Sequence, residues 1–136
     1  MKPNDVHAAQ LSADAIGYVN AHGTGTKLGD QAEAAAIRAT FGEHAPAVSA
    51  SKALTGHMLG ASGVVEAAVC VAALDRGLLP PTVNLDDPDP ACELDHVRGA
   101  PRAARVDHVL SNSFGFGGHN ISLVLGRPHD GPVRAV

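Results

Sequence analysis

Two histidines and a lysine stand in glycine-flanked loops, a setting in which these side chains can act on a carbonyl group. His22 opens a loop of alternating glycine and threonine, while Lys52 and His57 bracket a second loop in which Gly56 precedes the histidine. Glycine allows a backbone to approach a ligand closely. Imidazole N–H groups can donate hydrogen bonds to a developing oxyanion, and a nearby ammonium group can tune their protonation. The three residues therefore indicate acyl or carbonyl chemistry, although a lone histidine is more often structural.

Metal and phosphate binding receive less support from the same residues. A metal site could combine His22, His57 and His119 with Asp30, but no pair of these histidines has the short spacing of a zinc site. The glycine-rich loops match neither a P-loop nor a dinucleotide-binding fingerprint. We therefore expect no metal and no cofactor.

Three acidic residues are candidates for supporting roles. Glu66 is the only charged residue between positions 59 and 74, where an unpaired buried carboxylate would be costly. Either one edge of this segment reaches solvent, or Glu66 pairs with Lys52 or with a structural water. Asp30 and Glu33 have the spacing of a capping box at the start of a helix, worth about 1 kcal/mol.

The elements that must position these residues alternate between strands and helices. Apolar patterning and turn residues predict the following segments in chain order: a strand at 16–20, a helix from Asp30 to the stop signal Gly42, a strand at 47–51, a helix at 59–76, and strands at 106–111 and 120–126. This order favours an α/β fold with a mixed sheet and packed helices. The second helix is apolar nearly all round, which predicts that it is central and buried.

Composition limits the classes of function that fit. The 136 residues suffice for one domain, and 45% hydrophobic residues allow a real core. A net charge of −4 offers no basic surface for nucleic acid or an anionic membrane. Apolar runs are shorter than the ~20 residues of a spanning helix, and the first residues lack a signal-peptide core, so we expect a cytoplasmic protein. Neither Cys70 nor Cys92 has the surroundings of a nucleophile.

Three motifs taken together closely resemble the β-ketoacyl synthase family. They are residues 18–26 (YVNAHGTGT), 51–57 (SKALTGH) and 112–118 (NSFGFGG), which stand in the family's order and spacing. The resemblance covers about residues 15–127, with 1–14 as an N-terminal segment or linker and 128–136 as a flexible tail. It implies the C-terminal half of a thiolase-like fold. The family's nucleophilic cysteine belongs to the N-terminal half, which implies that this chain is inactive alone.

The resemblance also implies roles for the three residues identified first. His22 and His57 would bind the thioester carbonyl of a malonyl unit, promote its decarboxylation and stabilise the enolate that attacks an acyl-enzyme. Lys52 would support both histidines through hydrogen bonds and charge.

Supporting residues are implied in the same way. Glu66 matches an acidic residue behind Lys52, and Asp30 and Glu33 match acidic positions that hold the histidine loop. Phe116 matches a gate beside the acyl pocket, and the glycines around it make its motion inexpensive.

The binding partners of this protein are implied by the family resemblance and not by composition. The resemblance implies an acyl carrier protein that presents malonyl and acyl thioesters on a phosphopantetheine arm. It also implies an N-terminal ketosynthase half and assembly as a homodimer or heterodimer, in fatty acid or polyketide biosynthesis. The alternative is a non-catalytic module, resembling a chain-length factor or a truncated half, that only dimerises or docks a carrier protein.

Overall fold

A four-stranded mixed sheet with a helix on each face forms the body of the chain. The computed structural model describes residues 9–128. The strands are β1 (Ile16–Asn20), β2 (Ala47–Ser49), β3 (Leu78–Leu79), β4 (Arg102–Ala103), β5 (His108–Phe114) and β6 (Asn120–Gly126). The helices are α1 (Lys27–Phe41), α2 (Lys52–Thr55) and α3 (Ser62–Arg76), with short 3-10 turns at Ala13–Ala15, Leu59–Ala61, Pro90–Cys92 and Phe116–Gly118.

The strand order places three strand ends at one edge of the sheet. The order is β2-β1-β5-β6, and β3 and β4 form a separate antiparallel pair. Strand β1 runs parallel to both β2 and β5, whereas β6 is antiparallel to β5. The carboxyl ends of β1, β2 and β5 therefore meet, and loops that leave parallel strands at such an edge commonly form ligand sites.

Alternating side chains of the central strands build two cores. On one face, Val19 and Leu110 pack with Ile37 of α1. On the other face, Tyr18 and Val109 pack with α3. The two-residue period of a strand sends neighbouring side chains to opposite faces, so each central strand contributes to both cores.

Helix α1 begins three residues earlier than the capping-box pattern predicts, and that prediction is wrong. The helix starts at Lys27, and the Asp30 N–H already donates to the Thr26 carbonyl. Asp30 therefore lies within the first turn. Glu33 is 6% exposed and points into the protein, because its carboxylate binds backbone N–H groups of the loop after β1.

Helix α3 is buried on one face only. Its buried residues are Ser62, Glu66, Cys70, Ala73 and Leu74. On the other side Val64 is 75% exposed and Val71 is 54% exposed, so the prediction of burial holds for the face toward the sheet alone. Within residues 9–128, no helix has the length and apolar character required to cross a bilayer.

The remaining predicted elements agree with the structure apart from their ends. The strand predicted at 47–51 ends at Ser49, and α2 follows it. Strand β5 continues to Phe114 instead of ending at 111, because it pairs with β6 along its whole length. The predicted linker and tail fall largely on residues 1–8 and 129–136, which lie outside the described residues.

Candidate active site

The sheet brings His22, Lys52 and His57 together. His22 follows β1, Lys52 is the first residue of α2 after β2, and His57 follows α2. The rings of His22 and His57 meet edge to face, with centroids 5.7 Å apart and an interplanar angle of 88°. The Lys52 Nζ lies 3.3 Å from the Nδ1 of His22. The amine and the two imidazoles, which are far apart in sequence, thus form a single cluster.

Hydrogen-bond donors at both Nδ1 atoms determine the histidine tautomers. An ammonium group can only donate, so Lys52 requires the His22 Nδ1 to accept. The Leu59 backbone N–H lies 3.1 Å from the His57 Nδ1, and an amide likewise only donates. In the neutral form each ring therefore carries its proton on Nε2, as inferred from the donor network. Each ring then presents an Nε2–H donor, and paired donors of this kind are what an oxyanion site requires.

The electrostatic environment favours a neutral His22. Burial lowers its pKa below the ordinary value of 6.5, and the electrostatic effects of Lys52 and of the neighbouring His57 ring act in the same direction. A neutral imidazole at physiological pH is a hydrogen-bond donor through Nε2–H and has no charge of its own. The site therefore combines two imidazole donors with one fixed positive charge.

Lys52 is held by a buried ion pair with Glu66. The two side chains are 4% and 2% exposed, and Lys52 Nζ contacts Glu66 Oε1. The interpretation in which Glu66 pairs with Lys52 agrees with this geometry. One edge of α3 does reach solvent, but Glu66 does not lie on it, so exposure is not what accommodates this carboxylate. Among the described residues, the other carboxylate oxygen, Oε2, has no hydrogen-bond partner.

Glu33 ties the histidine loop to the centre of the sheet. Its Oε1 accepts hydrogen bonds from the backbone N–H of His22 at 2.9 Å and from the Asn112 Nδ2 at 2.9 Å. Its Oε2 accepts from the Gly23 N–H at 3.0 Å. One side chain of α1 thereby joins the end of β1 to β5.

Asp30 supports the same loop from farther away. Its Oδ1 accepts from the Gly25 N–H at 3.3 Å. Burial raises the pKa of this carboxyl, and the neighbouring Glu33 charge adds to the rise. Asp30 therefore contacts the loop, and within residues 9–128 it forms no hydrogen bond to either imidazole.

An aromatic residue that sequence reasoning missed lies against His22. The ring of Phe114, the last residue of β5, has its centroid 5.4 Å from that of His22, at a tilt of 55°. Phe116, the predicted gate, is instead 99% exposed in the turn that follows. Gly117 and Gly118 in that turn have positive φ angles of 76° and 81°, which residues other than glycine rarely adopt. The motif in 112–118 indicated a functional loop, but only the strand register identifies the phenylalanine that touches His22.

A cavity of about 500 Å³ adjoins the cluster, with Lys52 and His57 among its lining residues. Its walls are largely apolar and include Ile37 of α1 and Leu94 of the segment before β4. A volume of this size is typical of a small-molecule site. Among residues 9–128, no three side chains of His, Cys, Asp or Glu gather closely enough to hold a metal ion.

These features define an α/β protein with imidazoles and an ammonium group at the carboxyl ends of its parallel strands. Solved structures with the same fold are thiolase-like ketosynthases. The model of the β-ketoacyl synthase C-terminal domain matches residues 4–86. The chain belongs to the β-ketoacyl synthase family and corresponds to its C-terminal domain.

Individual relatives agree with this assignment. The 3-oxoacyl-[acyl-carrier-protein] synthase 2 of Coxiella burnetii is 48% identical over 129 residues, which are 93% of this chain and 31% of the relative. The crystal structure of a β-ketoacyl synthase from Burkholderia phymatum superposes with a TM-score of 0.87 at 46% identity, over 91% of this chain and 30% of that one. The ishigamide ketosynthase/chain length factor gives a TM-score of 0.88 at 38% identity, over 91% and 31%. The chain thus spans about a third of the length of these proteins.

Proposed function

We propose that this chain supplies the decarboxylation side of a β-ketoacyl synthase active site. The observation that carries the proposal is the pair of adjacent imidazoles whose Nδ1 atoms both receive donors, which leaves the Nε2–H of each ring to donate to a substrate. The substrate class we propose is a malonyl thioester on an acyl carrier protein. The Coxiella burnetii relative is named for an acyl carrier protein, which supports the choice of carrier.

In the proposed reaction the carbonyl oxygen of the malonyl thioester accepts hydrogen bonds from the Nε2–H groups of His22 and His57. The bond between the α-carbon and the carboxylate breaks, CO₂ leaves, and the electron pair forms an enolate that the two donors stabilise. The α-carbon then attacks the carbonyl of an acyl thioester. A new carbon–carbon bond forms, and the thiolate of the acyl-enzyme leaves.

Lys52 acts on this step through His22. Its ammonium group donates to the His22 Nδ1 and supplies a positive charge near the developing oxyanion. The ion pair with Glu66 fixes the position of the ammonium group, so Glu66 is a positioning residue. Glu33 and Asp30 have the same kind of role toward the loop that carries His22.

We propose that the nucleophilic cysteine comes from outside these 136 residues. Cys70 is fully buried on the sheet-facing side of α3, and burial raises the pKa of its thiol to about 11. Burial and the Asp89 charge also raise the pKa of Cys92. A thiol with a raised pKa carries little thiolate at neutral pH and is a poor nucleophile. The proposed partner is an N-terminal ketosynthase half, which would cover the exposed face of α3.

The test combines the chain with a candidate N-terminal half that contains the cysteine. Release of CO₂ from a malonyl thioester and formation of the β-ketoacyl product are measured separately. We expect His22→Ala and His57→Ala to abolish both, while His44→Ala, which changes an exposed histidine outside the cluster, leaves them unchanged. Equal activity of His57→Ala and the unsubstituted chain with a competent partner would disprove the catalytic assignment.

The second candidate function is a non-catalytic module that dimerises or docks a carrier protein. It is favoured by the similarity to a ketosynthase/chain length factor and by the exposed apolar face of α3. A module without catalytic duty has no physical need for the buried pair of Lys52 and Glu66 beside two imidazoles. Binding to a partner half that remains inactive in every combination would support this second function.

A further inference from the structure

Ser62, at the start of α3, contacts the second imidazole of the cluster. Ser62 is only 5% exposed. Its Oγ accepts a hydrogen bond from the Met58 backbone N–H at 2.9 Å and lies 3.2 Å from the His57 Nδ1. A single buried hydroxyl therefore joins the helix, the turn before it and the histidine.

The direction of the bond between Ser62 and His57 follows from their neighbours. The Leu59 N–H also lies on the His57 Nδ1, at 3.1 Å, so that nitrogen must be an acceptor. The proton between Ser62 and His57 consequently belongs to the hydroxyl. Ser62 thus accepts from one backbone amide and commits its single O–H to the imidazole.

We propose that Ser62 is a positioning residue that holds His57 in its Nε2–H tautomer and fixes the direction of that N–H. The proposal rests on the function proposed above, in which this N–H donates to the thioester oxygen. His22 has Lys52 and the Phe114 ring to restrain it, whereas His57 is exposed and has less packing around it. Donors at Nδ1 therefore carry a larger share of the orientation of His57.

A purely structural role would have a different consequence. Leu59 has a positive φ of 52°, which is uncommon for a residue other than glycine, so the turn before α3 is under strain. The bond from the Met58 N–H to Ser62 helps to hold this turn. If that were the whole role, Ser62→Ala would lower stability without changing the environment of the His57 Nδ1.

Nitrogen-15 NMR of the histidine side chains separates the two roles. The chain is labelled with ¹⁵N-histidine, and the His57 signals are identified by their loss in His57→Gln. We expect the unsubstituted chain to show Nε2–H and a hydrogen-bonded Nδ1 at His57. In Ser62→Ala the Nδ1 signal should move toward that of a free imidazole acceptor, and the signals of His22 should stay in place. Ser62→Thr keeps the hydroxyl and should restore the original signal.

Ser113→Ala is the matched control. The Ser113 hydroxyl faces the same turn of α3, 3.5 Å from the position that a Cβ on Gly63 would occupy. Within residues 9–128 it forms no hydrogen bond to a histidine. We expect no change at His57 in this variant. An unchanged His57 Nδ1 signal in Ser62→Ala, or an equal change in Ser113→Ala, would overturn the proposal.

Activity gives an independent readout with a partner half that supplies the cysteine. We expect Ser62→Ala to lower kcat on the order of fivefold, the effect of losing one neutral hydrogen bond, with KM for the malonyl thioester unchanged. If the NMR shift occurs but no partner gives activity, the proposed function fails and the positioning role stands. If activity requires His57 and the NMR signal does not move, the function stands and the role of Ser62 is refuted.

Discussion

The buried ion pair between Lys52 and Glu66 predicts a large loss of stability when only one partner is removed. The side chains are 4% and 2% exposed, so Glu66→Ala leaves a buried ammonium group without a counter-charge. Breaking such a pair costs about 3–5 kcal/mol. A domain of this kind is stable by about 5–15 kcal/mol, so the variant loses a large part of its folding free energy. With a urea m-value of about 2 kcal/mol/M, the midpoint should fall by roughly 1.5–2.5 M.

The chain provides its own control for this experiment. Arg102 and Asp95 form an exposed pair, with side chains 39% and 49% exposed, and pairs of that kind contribute about 0–1 kcal/mol. Urea unfolding followed by circular dichroism should therefore show a much smaller effect for Asp95→Ala. The double variant Lys52→Met/Glu66→Leu removes both charges and should recover most of the loss. Equal costs for Glu66→Ala and Asp95→Ala, or no recovery in the double variant, would refute the reasoning.

Three further predictions concern the loop, the pH dependence and the exposed face. Glu33→Gln replaces an acceptor oxygen that faces N–H donors, and urea unfolding should show a loss of about 2 kcal/mol; a loss below 0.5 kcal/mol is incompatible with the three bonds described. The pKa of His22 is lower in the folded than in the unfolded chain, so stability should decline as pH falls below 6.5, and His22→Gln should decline less; parallel profiles contradict this. The chain should self-associate or bind a hydrophobic dye, and Val71→Lys should weaken either effect; a monodisperse, dye-silent chain contradicts it.

The cluster could be predicted from sequence because its members stand next to strong local signals. His22 follows a short apolar strand, and Lys52 follows another, so parallel pairing places them at one edge of the sheet. Glu66 stood out as one charge within an apolar helix, and burial of an unpaired carboxylate is costly enough to require a partner. In each case a local pattern and a general energetic rule together indicated the contact.

The capping box was a wrong prediction because its local pattern has two physical uses. An acid three residues after an acceptor can cap its own helix or can bind N–H groups of another segment. Glu33 does the second, since the loop after β1 presents two backbone donors to it. Nothing within residues 30–33 distinguishes these uses, because the deciding donors belong to a different element.

Asn112, Phe114 and Ser62 escaped prediction for a related reason. Asn112 and Phe114 reach Glu33 and His22 only through the pairing of β1 with β5, whose register no local pattern reveals. Ser62 reads as an ordinary small residue at the start of an apolar helix, and its contact with His57 depends on the turn between them.

Helix α3 shows why an apolar pattern on all sides predicts burial but not the partner that buries each face. A face is apolar in sequence whether the same chain covers it or another chain does. Glu66 and Cys70 occupy the face that meets the sheet, while Val64 and Val71 occupy a face left exposed in residues 9–128. The first face positions the Lys52 ammonium group, and we propose that the second receives the half that carries the cysteine. A single helix would then link both sides of the active site. Polar substitutions of Val64 or Val71 on its exposed face should therefore alter assembly without altering the ion pair.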